Sequence, residues 1–219
     1  QNNSIDNTVG SSINYTCIAS NFDCTCIAVT DMGNRCIVIS TNSGISWNKI
    51  QTNTIQTNKS CIGITCSQDF TKLAAINTAK NSDGSKYIGE IYVSADSGKT
   101  WIQAGDYLNN IPGRGNWTSI NGTLNLEQLF ASNMNGNVWE SNNFNELWNT
   151  TNAGIHLWSY ISSNSNGTVL LASEGTVSKG FAKMYSNGTW EEQSQRGLHK
   201  GTFVMSSISD PSDPLNINT

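Results

Sequence analysis

The chain has 219 residues, a net charge of −4 and only 13% charged residues. Its three arginines, Arg35, Arg114 and Arg196, are scattered, so the sequence has no basic footprint for nucleic acid. The sequence contains no run of about 18 apolar residues, so no membrane-spanning helix is predicted. Seven Trp, six Tyr and six Phe favour a packed domain over a disordered chain.

Residues 1–13 are polar and are predicted to be a tail or one closing strand. A repeated pattern follows, which counts from an Ile: a polar or small residue at plus two, Asp or Asn at plus five, Ile or Leu at plus nine, and a small or branched apolar residue at plus eleven. The four complete copies are Ile18, Ser20, Asp23, Ile27, Val29; Ile64, Cys66, Asp69, Leu73, Ala75; Ile120, Gly122, Asn125, Leu129, Ala131; and Ile161, Ser163, Asn166, Leu170, Ala172. A fifth copy begins at Ile208 with Asp213 and Ile217. We therefore expect repeats at about 14–57, 58–108, 114–154 and 155–196, and part of a fifth at 201–219.

An eight-residue frame, Ser-x-Asp-x-Gly-x-Thr-Trp, recurs later in each repeat. The copies are Ser94, Asp96, Gly98, Thr100, Trp101; Ser40, Asn42, Gly44, Trp47; Ser141, Asn143, Trp148; and a shortened form with Gly188 and Trp190. A carboxylate or amide at the third position accepts backbone N–H bonds in a tight turn, Gly supplies a positive φ, and Trp anchors the turn on a core. The frame therefore predicts a structural turn rather than a reactive site.

Short apolar runs bounded by Asn, Gly, Asp and Ser indicate strands, and no helical stripe of useful length is present. The repeat period of 41 to 56 residues is typical of one four-stranded propeller blade. Over residues 14–217 the chain resembles the Asp-box (BNR) repeat β-propellers, which include sialidases and sortilin-type receptor domains. The resemblance implies an all-β propeller with about four full blades and part of a fifth.

This register makes two structural predictions. Each box should lie between the third and fourth strands of a blade, with Trp47, Trp101 and Trp148 buried. Equivalent apolar positions should form the core between blades. These positions are Ile18, Ile27, Ile64, Leu73, Ile120, Leu129, Ile161 and Leu170.

All six cysteines lie within the first 66 residues: Cys17, Cys24, Cys26, Cys36, Cys61 and Cys66. This distribution favours disulfides in an oxidising compartment and therefore a secreted, extracellular protein. Connectivity stays open, with Cys17 near Cys26, or Cys24 near Cys66, as candidate neighbours. The Cys-Thr-Cys spacing does not fit a zinc site and both histidines, His156 and His199, are distant in sequence, so no metal or cofactor is predicted.

Eight Asn-x-Ser/Thr sequons make the chain a candidate glycoprotein. They begin at Asn2, Asn14, Asn58, Asn116, Asn121, Asn149, Asn166 and Asn187. Asn121, Asn166 and Asn187 are expected at or near turns, and Asn14, Asn58 and Asn116 just before first strands.

The resemblance to sialidases implies three arginines, a Tyr/Glu couple and an Asp acid, but the arginines here lie in Asn-Arg-Cys, Gly-Arg-Gly and Gln-Arg-Gly contexts that do not match. A glycosidase carboxylate pair is spatial, so Asp31, Asp106, Glu90, Glu140 and Glu174 stay candidates. The sequence favours a non-catalytic, secreted module for extracellular assembly or recognition, with glycoside hydrolysis as the alternative. Expected partners are other copies of the chain, joined by strand addition at an unfinished blade, or an extracellular glycan or protein.

Overall fold

A computed structural model describes residues 14–50, 60–80, 82–85, 89–104, 115–144, 147–174, 181–186 and 188–192. These residues form strands and turns, which confirms the all-β prediction, and none of them belongs to a helix that could cross a membrane. The sheets curl into a half-barrel. The closing strand predicted in 1–13 and the partial repeat at 201–219 lie outside the described residues.

The strands follow one another with short turns. They are β1 (Tyr15–Ser20), β2 (Ile27–Asp31), β3 (Cys36–Ser40), β4 (Asn48–Ile50), β5 (Ser60–Cys66), β6 (Leu73–Thr78), β7 (Ile91–Ser94), β8 (Ile102–Gln103), β9 (Trp117–Gly122), β10 (Leu129–Gly136), β11 (Val138–Ser141), β12 (Trp148–Thr150), β13 (His156–Ser163), β14 (Val169–Glu174), β15 (Phe181–Ser186) and β16 (Thr189–Glu192).

Each run of four strands forms an antiparallel unit, and we call β1–β4, β5–β8, β9–β12 and β13–β16 units 1 to 4. Units 3 and 4 are also joined in one sheet, because β10 pairs with the start of β13. The first strands of successive units lie against one another, β1 beside β5, β5 beside β9 and β9 beside β13. The boxes of units 1 to 3 lie between the third and fourth strands, as predicted.

The sequence pattern describes the strand register of these units. In every unit the Ile at position zero pairs across the first two strands with the residue at plus eleven. The four pairs are Ile18↔Val29, Ile64↔Ala75, Ile120↔Ala131 and Ile161↔Ala172. Because alternate residues of a strand face opposite sides, this pairing places both members on one face of the unit.

That face packs on the preceding unit. Ile64, Leu73 and Trp101 of unit 2 share a buried apolar cluster with Ile37 and Ile39 of unit 1. Equivalent clusters join unit 2 to unit 3 and unit 3 to unit 4. The predicted core residues Ile120, Leu129, Ile161 and Leu170 are all buried in these clusters.

The prediction of a buried core is wrong at Ile18, which is 67% exposed, and Ile27 is only half-buried. Trp47 is also half-buried, whereas Trp101 and Trp148 are buried as predicted. The reason is positional. These three residues occupy the face of unit 1 that would receive a preceding unit, and unit 1 is the first unit of the described residues.

Candidate functional site

The turn between the first and second strands, here called the first turn, has the same construction in all four units. The residue at plus six has a positive φ: Cys24, Phe70, Leu126 and Gly167. Its N–H closes a β-turn to the carbonyl at plus three in each unit. The side chain at plus three also accepts a hydrogen bond from the N–H at plus eight. In unit 1, for example, Asn21 Oδ1 accepts the Cys26 N–H at 2.9 Å.

Hydrogen bonds within the first turn explain why Asp or Asn recurs at plus five of the sequence pattern. Asp23 Oδ1 accepts the N–H of Thr25 at 3.0 Å, and Asp69 does the same with Thr71. The pKa of Asp23 is lowered chiefly by the Thr25 hydroxyl, which donates to the carboxylate. Asn166 accepts the N–H of Thr168 in the same way.

The boxes are hydrogen-bonded to these first turns. In the second box Asp96 Oδ1 accepts the Thr100 N–H at 2.8 Å, and Trp101 Nε1 donates to the Gly98 carbonyl at 3.0 Å. A Cβ at Gly98 would lie 2.5 Å from Ile39 Cδ1, and φ is +83°, so glycine is required where this box meets unit 1. The N–H of Ser97 donates to the carbonyl of Thr71, which fastens the box to the first turn of its own unit.

The other boxes vary on this plan. In unit 1, Asn42 Oδ1 accepts the Ser46 N–H, Asn42 Nδ2 donates to Ser46 Oγ, and Ser40 Oγ accepts the Gly44 N–H. In unit 3 the positive φ begins one residue earlier, at Asn143, which the sequence places at the Asp position. Trp148 Nε1 is buried there and, within the described residues, has no hydrogen-bond partner.

In the shortened box of unit 4, Gly188 has φ +83° and Trp190 Nε1 donates across to the Thr151 carbonyl of unit 3 at 2.9 Å. The residue at the Gly position of the third box, Asn145, lies outside the described residues.

Backbone hydrogen bonds run from one first turn to the next, and we call this series the turn ladder. The residue at plus four donates its N–H to the carbonyl of the equivalent residue in the following unit. The bonds are Phe22 N to Gln68 O at 3.1 Å, Gln68 N to Leu124 O at 2.9 Å, and Leu124 N to Ser165 O at 2.8 Å. Sequence reasoning missed these positions, because the four side chains share no chemistry.

A cavity of about 380 Å³ opens between the first turns, and we call it the mouth. Its lining includes all four ladder residues, together with Thr65 and Asn121. Phe22 is 80% exposed there. None of the described residues that line it carries a charge. The mouth therefore suits an uncharged ligand with both polar and apolar groups.

A second cavity, of about 390 Å³, lies between the first strands and is called the channel. It shares Asn121 with the mouth, so the two are contiguous at that residue. Its apolar lining comes from Ile18, Ile64, Ile120, Ile161, Tyr160 and Leu171. Ile18 and Tyr160, which is 41% exposed, are thus accessible apolar groups, and the part of this lining that the structure describes is also uncharged.

The candidate carboxylates lie in different units. Asp31 (β2) is buried and accepts the N–H groups of Asn14 and Asn34; although burial raises its pKa, hydrogen bonds, first that of the Asn34 side chain, lower it overall. At the equivalent position of unit 4, Glu174 accepts the Leu157 N–H at 3.0 Å and contacts His156 Nδ1 at 3.0 Å. Both carboxylates therefore link the second strand, by a hydrogen bond, to the backbone at the start of the first strand of the same unit.

The remaining acidic candidates are equally separate. Buried Glu90, immediately before β7, accepts a hydrogen bond from the hydroxyl of Tyr92, and Glu140 lies on β11 with its pKa raised by burial. Asp106 lies outside the described residues. No two of the four described candidates share a four-stranded unit, and Glu140 and Glu174, which lie in one sheet, are separated there by β10 and β13.

The six cysteines are free thiols in the structure. Cys17, Cys26 and Cys66 pack around the cluster that joins units 1 and 2, and Cys61 lies inside it. Burial raises the pKa of Cys61 and of Cys66 to about 12 in each case. The predicted disulfides stay a prediction.

The described sequons differ in setting. Asn166 is exposed in the first turn of unit 4, and Asn14 is exposed immediately before β1. Asn116 precedes β9, and Asn149 lies within β12. Asn121 lies near the end of β9, close to the first turn of unit 3, and its Oδ1 accepts the N–H and hydroxyl of Ser163. The remaining sequons, at Asn2, Asn58 and Asn187, lie outside the described residues, as do Arg114, Arg196 and His199.

Comparison with family models and with curated proteins gives no match. Solved structures do match. An ancestral GH74 enzyme is 19% identical, with a TM-score of 0.62 over 85% of this chain and 26% of that one. YCF48 bound to D1 peptide is 11% identical, with a TM-score of 0.61 over 84% of this chain and 56% of that one. A nidogen/laminin complex gives 16% identity and a TM-score of 0.57 over 79% and 60% of the two chains.

The GH74 and YCF48 neighbours are β-propeller proteins, and the likeness shows that this chain has the propeller fold. The chain spans between 26% and 60% of the length of these three neighbours.

Proposed function

We propose that the chain is a non-catalytic propeller module that binds an uncharged segment of a protein partner in the channel. The observation that carries this proposal is the concavity whose described lining residues are uncharged and in which Ile18 and Tyr160 are exposed. Large exposed apolar groups in a concave site favour burial of a partner's side chains. The neighbours support a protein ligand, since one binds the D1 peptide and another is a nidogen/laminin complex.

The test begins with a displayed library of ten-residue peptides selected on the purified protein, followed by calorimetry with one selected peptide. Ile18→Asp places a charge in the channel at an exposed position. Ile45→Asp is the matched control, because Ile45 is 63% exposed and lies in the first box, outside the channel lining. We expect the channel variant to weaken binding by about tenfold or more and the control to leave it unchanged. No selected binder, or equal affinities, would refute the proposal.

Glycoside hydrolysis is the rival function, and the GH74 neighbours share the fold. A retaining pair of carboxyl groups stands about 5–5.5 Å apart and an inverting pair about 6.5–9.5 Å apart. Asp31, Glu90 and Glu174 instead serve as hydrogen-bond acceptors within separate units. Robust turnover of a panel of aryl glycosides and sialosides would overturn the non-catalytic proposal.

Secretion, N-glycosylation, disulfides and membership of the Asp-box family belong to the same proposal. Their support is the placement of the sequons at turns and before first strands, the cysteine distribution, and the box geometry of units 1 and 2. An intact mass spectrum of the protein purified from its native source, taken with and without reductant and alkylating agent, tests the modifications. Glycan mass and few free thiols are expected; an unmodified mass with six free thiols would contradict them.

A further inference from the structure

The two ends of the turn ladder are chemically complementary. At each internal step one residue uses both its N–H and its carbonyl, as Gln68 and Leu124 do. Phe22, the first residue, uses only its N–H, and Ser165, the last, uses only its carbonyl. Within the described residues, the carbonyl of Phe22 accepts no hydrogen bond and the N–H of Ser165 donates none.

Both ends line the mouth. The mouth therefore presents one backbone donor and one backbone acceptor. In the three bonds of the ladder, the equivalent groups are already paired with peptide groups of this chain. A buried peptide group without a partner is costly, so a ligand that covers the mouth must supply an acceptor to Ser165 and a donor to Phe22. A peptide main chain carries one of each per residue.

The setting of the mouth limits the class of ligand further. The described residues that line it are uncharged, and Phe22 offers an exposed aromatic face beside the open carbonyl. In the two end turns the side chains at plus three and plus five are engaged within the turn: Asn21 and Asp23 accept N–H groups in unit 1, as Asn164 and Asn166 do in unit 4. Backbone groups are thus the principal polar contacts left for a ligand at the two ends.

We propose that the mouth binds a partner's peptide segment through its main chain, with a ligand carbonyl accepting from Ser165 N–H and a ligand N–H donating to the Phe22 carbonyl. The ligand continues the ladder. An apolar ligand side chain lies on Phe22, and the adjacent channel receives the next part of the segment. This inference rests on the proposed function, and it specifies that recognition at the mouth is by backbone rather than by sequence.

The local geometry allows the donor to be removed without altering the turn. Ser165 is the second residue of the β-turn closed by Gly167 N–H to the Asn164 carbonyl at 3.2 Å. Proline is favoured at that position of a type I or II turn, and it lacks an N–H. Ser165→Pro therefore deletes the ladder donor, whereas Ser165→Ala, the matched control, deletes only the hydroxyl.

The measurement is calorimetry of the library-selected peptide on the whole chain, with both variants. Loss of one backbone bond in a covered site is expected to weaken binding about tenfold for Ser165→Pro and not at all for Ser165→Ala. Equal affinity of Ser165→Pro and the parent would overturn the proposal. Ester replacement of each peptide amide in turn tests the other end without changing the protein: one position should lose about tenfold, and a flat profile would overturn it.

Amide hydrogen exchange supplies an independent readout. Without peptide, the Ser165 N–H should exchange much faster than that of Leu124, which donates to Ser165 O; with peptide, it should become protected. Protection equal to Leu124 in the free protein would show that the donor is already occupied and would refute the inference. If Ile18→Asp weakens binding and Ser165→Pro does not, binding in the channel is supported and main-chain recognition at the mouth is refuted. If Ser165→Pro weakens binding and Ile18→Asp does not, main-chain recognition at the mouth is supported and binding in the channel is refuted.

Discussion

The Asp96 carboxylate shows what one residue contributes to this fold. It accepts the Thr100 N–H, the Thr100 hydroxyl at 2.6 Å and the Ser94 hydroxyl at 2.8 Å. These bonds, the Thr100 hydroxyl first, lower the pKa of Asp96 from 3.8 to about 2. Because the folded pKa lies below the unfolded one, the ionised carboxylate stabilises the fold above pH 3.8, and this contribution is lost as the pH falls toward about 2.

Asp96→Asn should remove that pH dependence and preserve the turn, since Asn42 makes the corresponding bonds to Ser46 in unit 1. We expect the difference in unfolding free energy between the parent and the variant to shrink as the pH is lowered from 5 to about 2. Urea unfolding at a series of pH values measures it. A difference that is constant over this range would show that Asp96 is not the titrating group.

At the scale of the element, the contact between units depends on hydroxyl hydrogen bonds as well as on apolar surface. Thr118 Oγ1 on β9 lies 2.9 Å from the Trp158 carbonyl of unit 4 and 2.9 Å from Ser132 Oγ. Thr16 repeats the arrangement in unit 1, where its Oγ1 contacts Thr30 Oγ1 at 2.9 Å and the Cys61 carbonyl at 3.2 Å.

Thr118→Val keeps the shape of the side chain and removes the hydroxyl that joins units 3 and 4. We expect it to lower the unfolding free energy by about 1–3 kcal/mol, because the Trp158 carbonyl and Ser132 lose a partner. Thr65→Val on β5 is the matched control, since its hydroxyl makes no hydrogen bond within the described residues, and it should change stability by less than about 0.5 kcal/mol. Equal losses in the two variants would mean that the hydroxyl contact does not stabilise the junction.

The elements also show which parts of the structure are readable from sequence. The zero and plus-eleven positions are readable, because the same face is buried in successive units and selects apolar side chains at Ile64 and Ala75 alike. The box is readable because Gly98 and Trp101 have few substitutes at their positions. The turn ladder is not readable, because backbone groups make it and Phe22, Gln68, Leu124 and Ser165 need nothing in common.

The first turns are an intermediate case. The recurring Asp-x-Thr of Asp23–Thr25 and Asp69–Thr71 is visible in the sequence and marks the turn, but Asn125–Glu127 breaks it. The mouth and channel depend on how four such turns meet, and no single repeat contains that information. Exposure of Ile18 depends on the same larger arrangement, since its chemistry equals that of Ile64.

At the scale of the whole molecule, the exposure of the isoleucine at position zero distinguishes the first unit from the other three. Ile64, Ile120 and Ile161 are 3%, 6% and 5% exposed and lie between units, whereas Ile18 is 67% exposed. Substitution by Ala at the three buried positions should cost about 2–5 kcal/mol each through lost burial and a residual cavity. Ile18→Ala should cost less than about 0.5 kcal/mol, because most of its side chain already contacts solvent.

Urea unfolding of the four variants, at two protein concentrations, measures these costs. A loss at Ile18 as large as that at Ile64 would mean that another unit covers the outer face of unit 1 in solution. If that loss appears only at the higher concentration, the covering unit comes from a second copy of the chain, since only association between molecules depends on concentration. If it appears equally at both, the cover is intramolecular. A negligible loss at Ile18, with large losses at the other three, confirms that the channel wall at Ile18 is open to a ligand.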